Sequence, residues 1–173
     1  MNRKDAGFTL MEAMVALATI AVIVTIALPA FGSVIDRTRV TTAMHLLSAD
    51  LAMARNTAIM RRMPVIVCPL DADGRCRTDS NWMHGWQVFL DPDGNRIPDH
   101  ESQLIRLHDT PLAGNLRAPS SRPFLRYLPD GRSPGTNLTI HLCSKGTLTG
   151  DVVVNNLGRV RTSRPGKETA CPR

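Results

Sequence analysis

Gly7-Phe8-Thr9-Leu10-Met11-Glu12 opens the longest uncharged segment of this chain, which continues from Ala13 to Ile35. A helix rises about 1.5 Å per residue, so a segment of this length matches the roughly 30 Å hydrocarbon core of a bilayer. The preceding residues 1–7 form a short basic leader without an apolar region of its own. A secretory signal is cut after its apolar region, whereas the small residue here precedes it, so we predict that the apolar segment stays in the mature protein.

Charge sets the predicted orientation. Arg3 and Lys4 favour a cytoplasmic N-terminus, which sends the residues after Ile35 to the periplasm. The sequence therefore predicts a single-pass protein of the inner membrane with a periplasmic C-terminal domain.

The cysteines are Cys68, Cys76, Cys143 and Cys171, which allow three pairings. None belongs to a C-x-x-C pair, which argues against zinc, and an oxidising compartment favours disulfides. We favour the pairs Cys68–Cys76 and Cys143–Cys171, because each is close in sequence and the second would hold the C-terminal tail against a strand.

Beyond the apolar segment the pattern becomes that of an amphipathic helix. The apolar residues recur at spacings of four and three, on one helical face: Val40, Met44, Leu47, Leu51, Ala54 and Ala58. Pro64 ends this pattern, so we predict one helix from Thr9 to Met63, with a kink near Pro29 and Gly32. The predicted organisation is a leader at 1–7, a transmembrane half-helix at 8–35, an amphipathic half-helix at 36–63 and a β-rich domain at 64–173.

The β-rich domain alternates short apolar runs with loops rich in Gly, Pro, Asp and Asn. The predicted strands are Val65–Cys68, Gly85–Leu90, Gln103–His108, Phe124–Leu128, Leu138–Cys143, Asp151–Val154 and Arg159–Arg161. Trp82 and Trp86 are predicted to pack in the core or at its rim. The predicted fold class is α+β, with a long N-terminal helix packed against an antiparallel sheet.

The start of the chain resembles the type IV prepilin signal, in which a dedicated peptidase cuts between Gly and Phe and the new N-terminal residue is methylated. Gly7 precedes the cut, Phe8 follows it, Glu12 is the fifth mature residue and Pro29 the twenty-second. Near the C-terminus, Gly158-Arg159-Val160-Arg161 resembles the GRxR motif of FimT-type minor pilins within the FimT/GspH family. These resemblances imply a pilin-like fold, processing at Gly7 and Phe8 by the prepilin peptidase, and other pilin subunits as partners in a filament.

Glu12 is a carboxylate at the edge of an apolar segment. The resemblance implies that it meets the N-terminal amine of a neighbouring subunit during filament assembly. The alternative is an interfacial carboxylate at a helix N-terminus, where the helix dipole favours negative charge.

The C-terminal tail carries a basic excess. It sets Arg159, Arg161, Arg164, Lys167 and Arg173 against Glu168. Residues two apart in a strand share a face, so Arg159 and Arg161 are predicted to point to solvent about 6.8 Å apart while Val160 points to the core.

This tail predicts binding to the phosphate backbone of DNA. It has no aromatic residue, so contact with phosphates is favoured over base stacking. The predicted DNA-binding residues are Gly158, Arg159, Arg161, Arg164 and Lys167, with Lys145 as a further candidate. The alternative is an edge strand whose arginines only resist aggregation.

The sequence nominates no catalytic site, cofactor or metal centre. The 5 histidines are scattered, and no Ser occupies a nucleophile elbow. The segment from Asp91 to Asn95 resembles the start of an EF-hand loop, but Arg96 and Ser102 stand where its Gly and Glu belong. A hairpin turn is predicted there, and a different calcium site on Asp91, Asp93 and Glu101 is left open.

The function hypothesis is a minor type IV pilin, resident in the inner membrane before assembly and in the pilus after it, that binds DNA non-specifically for uptake in natural transformation. One alternative is a GspH-like pseudopilin of type II secretion, whose tail would contact proteins. Another is a minor pilin that only primes pilus assembly.

Overall fold

The computed structural model describes residues 9–114 and 116–172, with side chains omitted at 26–30 and 33. The chain divides into two compact units between Asp36 and Arg37. One helix, α1 (Leu10–Arg61), runs through this boundary, and its ends lie within two residues of the prediction. The predicted kink near Pro29 stays a prediction.

The N-terminal unit consists of the first part of α1. The backbone N–H of Glu12 donates to Thr9 Oγ1 at 3.3 Å, which caps one of the free N–H groups of the first helical turn. Apolar side chains of this unit, among them Leu10, Met14 and Leu17, are exposed.

Within residues 9–114 and 116–172, no helix combines the length and the apolar content needed to cross a membrane. This differs from the span predicted over Ala13 to Ile35, of which the side chains at 26–30 and 33 are not described. The predicted processing residues, Gly7 and Phe8, lie outside the described residues.

In the C-terminal unit, the predicted apolar stripe of α1 is the part of the helix that is buried. Its buried residues are Val40, Ala43, Met44, Leu47, Leu51, Ala54 and Ala58. They face the inner sides of the β-strands, because a 3.6-residue period brings these positions to one face. The helix ends as Arg62 takes a φ of 51° and Pro64 follows.

The strands form two antiparallel sheets, which agrees with the predicted α+β class of a long helix packed against antiparallel sheet. The first has the order β3-β2-β1-β5 and the second the order β4-β6-β7-β8. Their bounds are β1 (Val65–Pro69), β2 (Trp86–Leu90), β3 (Leu104–His108), β4 (Leu116–Arg117), β5 (Leu125–Tyr127), β6 (Leu138–Ser144), β7 (Thr147–Val154) and β8 (Val160–Ser163). A short 3-10 helix at Glu101–Gln103 precedes β3. Apolar residues from both sheets join the helix stripe in one core.

Each predicted strand is present, but β7 is longer than predicted and β4 was not predicted. β7 begins at Thr147 instead of Asp151, because its first residues pair with the end of β6, with Ser144 opposite Thr147. β4 has two residues and was missed, since a strand this short shows no alternation to detect.

The two tryptophans are fully buried, in agreement with packing in the core. Trp82 Nε1 donates to Ser120 Oγ at 2.9 Å, and Trp86 Nε1 donates to Asp50 Oδ2 at 2.9 Å. Asp50 is therefore a buried carboxylate on α1, and Arg106 Nε lies 3.3 Å from its Oδ1. Each buried indole N–H has the partner that burial requires.

The disulfides join the pairs that the sequence favoured. Cys68 is bonded to Cys76, and Cys143 at the end of β6 is bonded to Cys171 in the tail. The second bond holds the C-terminal tail beside the start of β7, where the N–H of Cys171 also donates to the carbonyl of Gly146 at 2.9 Å.

Candidate nucleic-acid interface

β8 lies at the edge of the second sheet, with Arg161 in the strand and Arg159 directly before it. Val160 is opposite Val154 and Arg161 opposite Val153 in its antiparallel pairing with β7. Val160 packs against the core, whereas Arg159 and Arg161 are exposed. The carbonyl of Arg159 accepts from the N–H of Asn155 at 3.2 Å, which continues the pairing of β7 and β8 by one residue. An extended backbone from Arg159 to Arg161 sets their Cα atoms about 6.8 Å apart and directs both side chains to one face.

The turn before β8 is held by its own backbone and by Asn155. The N–H of Gly158 donates to the carbonyl of Asn155 at 2.8 Å, and the N–H of Arg159 donates to Asn155 Oδ1 at 2.9 Å. Gly158 has a φ of 75°, a conformation that favours glycine. Gly158 is buried, so its contribution to an interface is the shape of this turn and not a contact with DNA.

Arg55 of α1 fixes this turn against a second one. Its Nε donates to the carbonyl of Gly131 at 2.9 Å, and its Nη2 donates to the carbonyl of Leu157 at 3.1 Å. A Cβ on Gly158 would collide with the carbonyl oxygen of Gly131 and approach Arg55 Nε to 3.0 Å. One guanidinium therefore joins the helix, the turn after β5 and the turn before β8.

Tyr127 lies beneath the same turn, with its Cε1 3.1 Å from the position of a Cβ on Gly158. Burial raises the pKa of the Tyr127 phenol well above its ordinary value, and the positive charge of Arg55 offsets part of that rise. The phenol is neutral at physiological pH. Its oxygen has no hydrogen-bond partner among the described residues.

Arg164 does not share the face of Arg159 and Arg161. Its Nη2 donates to Thr41 Oγ1 of α1 at 2.6 Å. This side chain therefore points to the helix side of the sheet, as strand alternation requires for a residue three positions after Arg161. The proposed basic patch is divided by the sheet.

Lys167 is exposed in the loop that follows β8. The chain then returns to the start of β7, where the N–H of Leu148 donates to the carbonyl of Thr169 at 2.8 Å. Lys145 lies in the turn between β6 and β7, at the opposite end of β7 from Arg159. At about 3.3 Å per residue the length of β7 separates them by roughly 26 Å, so Lys145 does not join Arg159 in one cluster.

The acidic loop from Asp91 is organised by internal contacts. Asp91 is fully buried, and its carboxylate accepts from Arg126 Nη2 at 2.8 Å and from the N–H of Arg96 at 2.9 Å. Within residues 9–114 and 116–172, no three His, Cys, Asp or Glu side chains are grouped to hold a metal ion.

A groove on the outer side of the first sheet is floored by Phe124 and the Cys68–Cys76 disulfide region. Arg75 pairs with Asp73 and Arg77 with Asp79, and the guanidinium of Arg96 lies 5.0 Å from the centre of the Phe124 ring. The hydrogen bond to Arg77 holds the pKa of Asp79 below its usual value, and the same bond raises the pKa of Arg77. The charged side chains that line the groove are Arg75, Arg77 and Arg96 together with Asp71 and Asp79, so the groove carries both signs of charge.

The sequence analysis did not identify Arg55 as a residue that organises this site. Its partners, Gly131 and Leu157, are 76 and 102 residues away along the chain. No local pattern reports such a contact.

Comparison with protein families identifies two segments. The family described as "Type II transport protein GspH" matches residues 43–158, and the "Prokaryotic N-terminal methylation motif" matches residues 2–28. The first match covers the amphipathic part of α1 and the strands up to Gly158. A comparison with curated proteins finds no match.

Comparison with solved structures finds the same fold in two crystal forms of the type IV minor pilin FimU of Pseudomonas aeruginosa strain PAO1. In the first, the TM-score is 0.62 at 21% sequence identity, over 79% of this chain and 97% of the FimU chain. In the second, the TM-score is 0.58 at 20% identity, over 76% and 99%. At this identity the likeness establishes the fold.

Proposed function

This chain belongs to the GspH family of type II transport proteins and carries a type IV pilin-like N-terminus, and we propose that it is a FimT-like minor pilin that binds DNA without sequence preference. Binding would serve DNA uptake in natural transformation. The observation that carries this proposal is the exposure of Arg159 and Arg161 on one face of an edge strand, behind a turn fixed by Arg55.

The chemistry of these two groups suits phosphate. Each guanidinium offers several N–H donors and keeps its positive charge at any physiological pH. The face contains no aromatic stacking platform, so affinity would come from phosphate contacts, which carry no sequence information. Arg164 and Lys167 add positive charge nearby, Arg164 from the helix side of the sheet.

The N-terminal segment supports insertion in the inner membrane before assembly and a place in the pilus after it. The methylation motif matches residues 2–28 and implies processing by the prepilin peptidase. The exposed apolar side chains of the N-terminal unit are suited to a lipid environment or to neighbouring pilin helices. Glu12 lies in the first turn of α1, and its carboxylate would meet the amine of a neighbouring subunit in the filament.

The test is a titration of labelled duplex DNA with the full chain in a non-ionic detergent at several salt concentrations. Each phosphate contact contributes about 0.9 to the slope of log affinity against log salt. Arg159→Gln/Arg161→Gln is therefore expected to flatten this slope by about 1.8. Arg75→Gln/Arg106→Gln removes the same charge from the other sheet and is expected to leave the slope unchanged. Equal slopes for the two double variants, with both folded, would contradict the proposal.

A second candidate is a pseudopilin of type II secretion, and the family match to GspH favours it. In that case the edge strand would contact other proteins of the secretion system. Cells carrying Arg159→Gln/Arg161→Gln discriminate the two. Reduced transformation with normal secretion supports a DNA-binding minor pilin. Normal transformation with reduced secretion supports a pseudopilin of type II secretion. A subunit that only primes assembly would show neither loss.

A further inference from the structure

We propose that Arg132 is a third phosphate-binding residue of the interface formed by Arg159 and Arg161, and that Asp130 competes with DNA for it. This inference rests on the proposed DNA binding. It assigns a residue outside the GRxR sequence, from a different loop, to the same surface.

The backbone places Arg132 beside the turn that carries Arg159. The N–H of Ser133 donates to the carbonyl of Asn156 at 3.0 Å, and the carbonyl of Gly131 abuts Gly158. Both neighbours of Arg132 therefore contact the turn before β8. Arg132 is itself part of a tight turn, because the N–H of Leu128 donates to its carbonyl at 2.8 Å.

Arg55 keeps these two turns together from the helix side. Arg55 donates to the carbonyl of Gly131, the residue before Arg132, and to the carbonyl of Leu157, the residue before Gly158. The separation between Arg132 and Arg159 is thus set by backbone contacts and not by flexible side chains. Such a preformed arrangement is what binding of a rigid polyanion favours.

The Arg132 side chain is 63% exposed and has donors to spare. Its Nε lies 2.6 Å from Asp130 Oδ2, and a guanidinium carries four further N–H donors. Exposed ion pairs of this kind are weak, so a phosphate can take the place of the carboxylate.

Asp130 is charged at neutral pH. Its Oδ1 accepts from the N–H of Arg132 at 2.9 Å, and this bond together with the guanidinium lowers the pKa of the carboxyl below its usual value. A fixed negative charge here opposes an approaching DNA strand. Removing that charge while keeping an acceptor oxygen for the turn is therefore expected to strengthen binding.

The chain contains a matched control. Arg75 and Asp73 form an exposed pair with the same spacing in the loop before Cys76, where Arg75 Nη2 lies 2.8 Å from Asp73 Oδ2. Arg75 lines the groove of the first sheet, and β8 belongs to the second sheet. Variants of it change the net charge of the protein by the same amount.

The experiment is the titration of labelled random-sequence duplex with the full chain in a non-ionic detergent. Arg132→Gln is expected to weaken binding about eightfold at 0.1 M salt and to flatten the salt slope by about 0.9, as for the loss of one phosphate contact. Asp130→Asn is expected to tighten binding about two- to threefold. Arg75→Gln and Asp73→Asn are expected to bind as the natural protein does.

Several outcomes would overturn the assignment. If Arg132→Gln matches Arg75→Gln while Arg159→Gln/Arg161→Gln loses affinity, Arg132 is outside the interface and the proposed function stands. If Asp130→Asn tightens binding no more than Asp73→Asn, the effect is one of net charge and Asp130 does not compete. If the natural protein does not bind duplex at low salt, the proposed function itself is wrong.

Discussion

The carbonyl oxygen of Gly131 occupies the space where a side chain on Gly158 would begin. This contact joins two turns that are far apart in the sequence, and Arg55 bonds both of them from α1. The glycine of the GRxR sequence is thereby explained by packing and backbone conformation.

Gly158→Ala is expected to lower the free energy of unfolding by more than about 2 kcal/mol. An L-residue at positive φ costs about 1–2 kcal/mol, and the clash with Gly131 adds to this. Gly74→Ala is the control, because Gly74 has a φ of 77° and no atom within 4 Å of its Cβ position. Urea unfolding measures both losses. An equal loss of unfolding free energy in the two variants would mean that the backbone at Gly131 moves away from the new side chain without a loss of stability.

Asp50→Leu is expected to lower the free energy of unfolding by about 1–3 kcal/mol, because it leaves the buried Trp86 N–H without an acceptor. Asp50→Asn keeps that acceptor and loses the ion pair with Arg106, whose side chain is 57% exposed. It is expected to cost less than about 1 kcal/mol. Arg106→Gln removes the ion pair and leaves Asp50 in place, so it measures the contribution of the ion pair alone. Urea unfolding measures the free energy of unfolding of the three variants. If Asp50→Asn is as unstable as Asp50→Leu, the hydrogen bond to Trp86 is not the main contribution of Asp50.

Tyr127 is the single tyrosine of the chain, so tyrosinate absorbance reports on it alone. Its pKa is raised by burial, which means that the folded state favours the neutral phenol. Stability is unaffected below the unfolded value of about 10 and falls as pH rises above it, because the unfolded chain loses the proton first. We expect tyrosinate to appear together with alkaline unfolding.

Tyr127→Phe is expected to remove this alkaline dependence. It also removes a buried hydroxyl without a partner, so the free energy of unfolding at neutral pH should be unchanged or higher by about 1 kcal/mol. A loss of stability in the Phe variant would show that the hydroxyl has a partner in solution, such as a buried water.

Glu12→Ala and Glu12→Gln are both expected to lower the amount of protein in sheared pili while leaving the C-terminal unit folded. Both variants remove the charge that would meet a neighbour's amine, and Gln keeps the size of the side chain. Quantitative immunoblots of membrane and pilus fractions measure the change. Normal incorporation of Glu12→Gln would favour a carboxylate that only caps the helix dipole.

The pattern of residues predicted the elements of the fold and its α+β class, but it gave no order for the strands. The stripe from Val40 to Ala58 was correct because helix periodicity is a local property. Exposure of Arg159 and Arg161 around an inward Val160 was correct for the same reason in a strand. The order of the strands in the two sheets was not predicted, because strands with equivalent alternation do not encode which partners they pair with.

Some residues of the candidate interface can be identified from the sequence, and others only from contacts in the structure. Arg159 and Arg161 are two positions apart in the sequence, so a motif can identify them. Arg55 and Arg132 reach the same place from a helix and a distant turn, through backbone contacts that no local signal records. Arg164 shows the converse, since it is close to Arg161 in sequence and bonded instead to Thr41 on the helix side.

Taken alone, the order of residues was sufficient for the helix, for most strands, for the family resemblance and for the cysteine pairs, because each depends on periodicity, motif or short separation. Packing of the two sheets against α1 settled which cations share a surface, why position 158 is a glycine and where Asp50 and Tyr127 are buried. The physical reason is that burial, close contact and the sum of charges at a surface depend on distances in space, which chain separation does not set.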